Sequence, residues 1–144
     1  CSSRQRENYW AKLSGPLMDR IDLQVAANRL KPEEMLKQTT GEDSTIVRKR
    51  VVAARKLAEI RFGSEPGISC NAEMRSHHLR EFCVLDDTSR NLLEGAIRKL
   101  GLSARAMDRV LKVSRTIADL AGDRDLQSNH LAEAIQYRTI DRMH

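Results

Sequence analysis

The sequence has little of what usually declares a protein's chemistry. Aromatic residues make up 3% of its 144 positions: two Phe, two Tyr and one Trp. A core must therefore be built from Leu, Ile, Val, Ala and Met, and there are too few rings for a dedicated base-stacking surface. Cysteine is limited to Cys1, Cys70 and Cys83. Three widely spread thiols argue against a disulfide framework and for a reducing compartment. None of them forms a C-x-x-C pair, and His77, His78, His130 and His144 do not complete a zinc spacing with them. No apolar run approaches the ~18 residues of a membrane span, and no leader is visible, so the expectation is a soluble, cytoplasmic chain. None of the seven glycines is followed by lysine, which excludes a G-x-x-x-x-G-K phosphate loop from this sequence.

Charge is plentiful. Lys and Arg outnumber Asp and Glu by 25 to 20, a net charge of +5. This modest excess favours anionic partners (nucleotides, nucleic acids or acidic protein faces) without choosing among them. The length fits one domain, and such a domain buries roughly 70% of its unfolded surface.

Apolar spacing predicts a mostly helical chain. Residues 4–13 read as a helix that ends before Gly15-Pro16. Ile21-Asp-Leu-Gln-Val25 alternates apolar and polar and predicts a short strand. Pro32 and the acids after it open a short helix over about 32–38. A long helix follows from Ser44 to Phe62, with Ile46, Val47, Val51, Ala54, Leu57 and Ala58 as its core stripe. Asn71 is expected to cap a helix through Phe82, and Asp86 or Asp87 the next, which stops at Gly101. Ser103 starts a helix that ends at Gly122, and Ser128 starts the last. A lone strand makes no sheet. It either packs on helices or belongs with strands upstream in a longer protein, and Cys1 in place of an initiator Met favours the second reading.

Several charged positions compete for a role. Phe82-Cys-Val-Leu-Asp86-Asp87 looks like a magnesium-holding strand, but acids just before a periodic helix are better read as caps. Arg105 falls in the first turn after Ser103, where a cation opposes the helix dipole, and Arg109 is its like-charged i,i+4 neighbour. A solvated basic face and a phosphate contact are both open there. Arg20 lies between Asp19 and Asp22, which suggests a local surface salt bridge; spacing alone favours a structural role, with an outward reach to a neighbour's phosphate as the alternative. Arg48, Lys49, Arg50, Arg55, Lys56 and Arg61 surround the stripe of the long helix, a solvated surface by default and a nucleic-acid surface as the alternative. Tyr9 and Trp10 suit a core edge or an interface, His77-His78 a solvent-side pair, His130 a packing or capping role, and Arg115 and Arg138 subunit contacts or plain surface charge.

Three stretches resemble a known family. L-S-G-P-L-M-D-R-I-D-L (13–23), L-S-A-R-A-M-D-R-V-L-K-V-S-R-T-I-A-D-L-A-G (102–122) and H-L-A-E-A-I-Q-Y-R (130–138) look like the carboxy-terminal part of the magnesium-chelatase-subunit-I-like AAA+ ATPases, in the ComM/YifB branch. The Cys1-Ser2-Ser3 start looks like the tail of a cysteine-containing segment in that family. The resemblance implies that residues 1–30 are the end of an ATPase core, with its last strand, and 31–144 a helical lid. It implies that Arg20 is the arginine finger acting in trans on a neighbouring subunit, and Arg105 the sensor-2 arginine touching the nucleotide in cis. Ser103 and Arg109 are further candidate nucleotide contacts, and no metal ligand is expected. Full-length relatives would use ATP and Mg2+, assemble as rings, commonly hexamers, and work on DNA, with metal insertion into tetrapyrroles as the alternative client. The 144 residues by themselves would show no activity and would be monomeric. Outside the family reading stands a basic helical module that binds nucleic acid by itself.

Overall fold

The computed structural model describes residues 3–12, 15–27, 29, 31–36, 41–63 and 65–138. The chain is mainly helical: α1 (Ser3–Trp10), α2 (Gly15–Met18), α3 (Pro32–Leu36), α4 (Ser44–Phe62), a 3-10 turn (Asn71–Glu73), α5 (Ser76–Phe82), α6 (Asp87–Leu100), α7 (Ala104–Ala121) and α8 (Ser128–Gln136). Helix ends follow local chemistry. Asp43 accepts from the Thr45 N–H at 2.6 Å, Asp86 from the Ser89 N–H at 2.8 Å and the Ser103 hydroxyl from the Ala106 N–H at 3.1 Å, each satisfying an orphan donor. Gly101 and Gly122 close α6 and α7 at φ of 52° and 78°, the left-handed region that glycine enters without a Cβ clash.

Helix α7 is the hub. It packs on α4, α5, α8 and the 3-10 turn, while α6 packs on α8. The core between them joins Phe62, Met74, Leu79, Leu93, Val110 and Leu131 with smaller neighbours. Phe62 and Phe82 meet edge to face, so two of the few rings sit in contact.

A polar knot lies inside. The Asp119 carboxylate, 1% exposed, pairs with both Arg61 and Arg115. Asn71 donates to Asp119 at 2.8 Å and accepts from Arg61 at 2.8 Å. Arg115 also donates to the backbone oxygens of Arg124 and Asp123, at 2.8 and 2.6 Å. Arg115 is therefore a buried charge rather than a surface one, and Asn71, expected to cap a short helix through Phe82, instead opens the 3-10 turn and braces α4 against α7.

Two helices share one capping device. The N–H of Arg75 donates to His78 Nδ1 at 2.9 Å, and the N–H of Gln127 to His130 Nδ1 at 3.1 Å. Each imidazole reaches back from the third helical position, and each Nε2 faces an acid: Glu65 at 2.7 Å, Asp123 at 3.0 Å. His78 is 1% exposed, so only His77 fits the expected solvent-side pair. Residue 127 rather than Ser128 is the N-cap of α8.

The predicted strand does not form. Residues 21–25 form no strand and bend at Asp22. Their burial inverts the expected alternation: Ile21, Leu23 and Val25 are exposed, and Gln24 is buried, its N–H donating to Tyr137 O at 3.0 Å. A strand needs a neighbour for its backbone groups, and among the described residues Tyr137, just past α8, supplies one such bond. The stripe of α4 is also corrected: Ala54, Ala58 and Phe62 are buried, while Ile46, Val47, Val51 and Leu57 are exposed. Tyr9 is 68% exposed and anchors no core edge among the described residues. Residues 13, 37 and 38 of the expected helices, and the Trp10 side chain, lie outside the described part.

Candidate functional site

Arg20 leaves α2 through a tight turn, its N–H donating to Leu17 O at 3.0 Å and that of Ile21 to Met18 O at 3.1 Å. The side chain is exposed and, among the described residues, has no ion pair or hydrogen bond. Arg105 stands exposed in the first turn of α7, likewise without a partner among the described residues.

The acids beside Arg20 do not pair with it. Asp19 accepts from the Ser103 hydroxyl at 2.8 Å, and Asp22 pairs with the Arg109 guanidinium. These contacts cross 84 and 87 residues of sequence. A third tie comes from Arg138, 6% exposed, whose Nη1 donates to Met18 O at 3.1 Å and Nη2 to Asp19 O at 3.4 Å. Gln24 on Tyr137 is the fourth. The turn that carries Arg20 is therefore pinned to the start of α7, which carries Arg105, and to the end of α8.

Of the four residues singled out by sequence, Ser103 and Arg109 belong to this clamp, and Arg20 and Arg105 stay free beside it. Two unpaired guanidiniums offer forked donors suited to phosphate oxygens, and the α7 N-terminus favours an anion. Sequence reading missed Asp19, Asp22 and Arg138 as clamp members. Nothing local could have paired them with their targets, which lie some 84 to 120 positions away.

An apolar cleft of about 290 Å3 borders the clamp, walled by Leu23, Val113, Ile117 and Leu120. The ammonium of Lys112 at its rim donates to Ala72 O at 2.8 Å, and its walls suit hydrocarbon better than phosphate. Elsewhere, Glu65, His77 and His78 bring three donor atoms within 4.8 Å of one another. Because His78 Nδ1 accepts a backbone N–H, its proton sits on Nε2, the atom turned to Glu65, where a metal would need a lone pair. That hydrogen bond holds the Glu65 carboxyl below its ordinary range, with His77 adding to the effect. The cluster is a hydrogen-bonded cap. Burial pushes the Cys83 thiol up to about 11, which makes it an inert core group whose S–H points to Leu111 O.

Among the described residues no helix is long and apolar enough to cross a membrane. Comparison with known proteins gives a consistent picture. Residues 41–138 match the family described as magnesium chelatase, subunit ChlI C-terminal, and residues 1–35 match magnesium chelatase, subunit ChlI. The chain is 42% identical over 144 residues to Competence protein ComM of Haemophilus influenzae, covering 99% of this chain and 27% of that protein. It is 41% identical over 145 residues to YifB of Escherichia coli, covering 99% and 28%. A Mycobacterium bovis protein, Mb2921c, is 35% identical over 138 residues, covering 96% and 27%. The chain thus spans roughly a quarter of the length of these relatives. The match over 41–138 takes in α4 to α8, and the motif around Arg20 lies in the other match; the chain belongs to the magnesium chelatase subunit ChlI C-terminal family, in its ComM/YifB branch.

Proposed function

We propose that this chain is the lid and arginine-finger portion of an AAA+ ATPase that couples ATP hydrolysis to work on DNA. The observation that carries the reading is the contrast within one patch. Asp19, Asp22, Ser103, Arg109 and Arg138 are each engaged in a tie across the patch, whereas Arg20 and Arg105 are exposed and unpaired among the described residues. A cation kept free while its neighbouring acids are engaged elsewhere is available to an external anion. The similarity to the ChlI family supports the phosphates of ATP as that anion, bound with Mg2+ by a phosphate loop that this sequence lacks.

In this reading Arg20 reaches the γ-phosphate held by the adjacent subunit of a ring, a hexamer in the family pattern. Its guanidinium stabilises charge that builds on the transferred phosphoryl group. Arg105 contacts the nucleotide from the lid. ATP chemistry, with Mg2+ neutralising the phosphates, is supplied by residues outside this chain, and no carboxylate here is assigned to the metal. The exposed apolar edge Ile21, Leu23 and Val25 is the face that a core sheet would cover. DNA as the client draws support from α4, where Arg48, Lys49, Arg55 and Lys56 share one exposed side without partners among the described residues.

The test is subunit mixing with full-length protein. Arg20→Ala subunits keep their phosphate loop but lack the finger. Subunits with the loop lysine replaced keep the finger but bind no nucleotide. Each is expected to be inactive alone, and their mixture active, because the second supplies Arg20 to the first. A mixture as inactive as its components overturns action in trans. The same mixture locates Arg105: the clamp ties it to Arg20, so if both serve one interface, Arg105→Ala is rescued in trans too, whereas a cis sensor is not.

A further inference from the structure

Arg138 lies in the last turn of the described chain, yet its guanidinium is buried against the two carbonyls that immediately precede Arg20. Asp19 and Asp22, on either side of Arg20, are held by the N-cap residue and the second turn of α7. Four ties from two helices thus converge on the seven residues from Met18 to Gln24. A surface turn with an exposed arginine needs no such framework for its own stability. The backbone carbonyls of a solvent-facing turn are normally met by water, so burying an arginine to hold them has a geometric consequence: it fixes where the next side chain starts.

We propose that Arg138, with Asp19 and Asp22, are positioning residues for Arg20, and that they make finger and lid one moving body. When the lid of α7 and α8 shifts on nucleotide binding or release, Arg20 is carried with it rather than swinging on a free loop. One subunit's nucleotide state then sets whether its neighbour's transition state receives the finger. The inference rests on the reading of Arg20 as an arginine finger and adds what aims it and what couples it.

The experiment is a double-mutant cycle on full-length protein, followed by steady-state ATP turnover, nucleotide affinity and thermal melting. Arg138→Ala is expected to lower kcat about tenfold to a hundredfold, the cost of misplacing a catalytic group by about 1 Å, with KM for ATP little changed. In an Arg20→Ala background the same substitution should cost nothing further, because the group it aims is gone. Arg138→Lys, which keeps one donor and the charge, should recover part of the loss. A purely structural role for Arg138 would give equal fractional losses in both backgrounds, and that overturns the proposal. Should Arg138→Ala fail to fold, the pair Asp19→Ala and Asp22→Ala removes both acceptors that tie the turn to α7 and must show the same dependence on Arg20. Full turnover with these ties cut would also overturn it. If Arg20→Ala by itself leaves turnover unchanged, it is the finger reading that fails, and the cycle separates the two.

Discussion

Helices α4 and α7 are almost the same length, 19 and 18 residues, and they pack against each other. Their burial is very different. α7 buries seven residues spread from Ala106 to Asp119, and α4 buries three, all in its second half. At 100° per residue, Val47 and Val51 lie on the same side of α4 as Ala54, Ala58 and Phe62. They are nonetheless 39% and 43% exposed. The bundle covers the end of that face and leaves its beginning open. Ile46, Val52, Leu57 and Ile60 point to other sides and are exposed as well. Three-and-four spacing therefore identified a real helix but could not say how far along it a neighbour reaches.

The largest expected effect lies at the Asp119 knot, where an arginine of α4 pairs with a carboxylate of α7. Asp119→Ala leaves Arg61 and Arg115 facing each other without their carboxylate. A loss of about 3–5 kcal/mol is expected, measured by urea unfolding of the 144-residue chain, since removing one partner strands the others in the interior. Next comes the apolar side of the hub. Leu131 is fully buried against α7, and Leu131→Ala should cost about 2–5 kcal/mol. Val51→Ala on the open half of α4 should stay within about 0.5 kcal/mol in the same assay. Equal costs at the two positions would mean that α4 is covered in a way this packing does not include.

Smaller effects follow from the capping groups. The carboxyls of Glu65, Asp43, Glu73 and Asp86 all sit below their ordinary values, each through hydrogen bonds made in the folded chain. A depressed carboxyl stabilises the fold above its unfolded pKa and loses that contribution as pH falls through the folded one. The melting temperature should therefore drop on acidification below the ordinary glutamate range, and Glu65→Gln should flatten part of that drop. The smallest effect concerns the thiols: Cys83 should resist iodoacetamide at pH 8 in the native chain and react only on unfolding.

Much of this was legible in the sequence where the cause is local. The helix from Ser44 to Phe62, the caps at Asp86 and Ser103 and the stops at Gly101 and Gly122 depend on residues within one turn of one another. The His130 cap follows the same logic. What the sequence did not disclose is long-range. Residues 21–25 carry strand-like alternation, but a strand is made by its neighbour, and the neighbour here is the end of α8. Arg115 and Arg138 read as surface charges because arginine usually is one; Asp119 lies one helical turn from Arg115, but only the fold brings Arg61 to that pair and Met18 and Asp19 to Arg138. The candidate site divides in the same way. Arg20 and Arg105 could be named from the motifs that carry them, whereas the clamp that joins them spans more than 80 positions and leaves no local trace.

In the proposed function, two guanidiniums on this clamped surface are one part of a nucleotide site completed by other residues. Steady-state ATP turnover of the full-length Arg20→Ala/Arg105→Ala protein tests it most directly. A fall of about a thousandfold or more is expected, the scale of a missing arginine finger, with an unchanged melting temperature. Turnover within about twofold of the unsubstituted protein, a difference well under 1 kcal/mol in barrier, would contradict it.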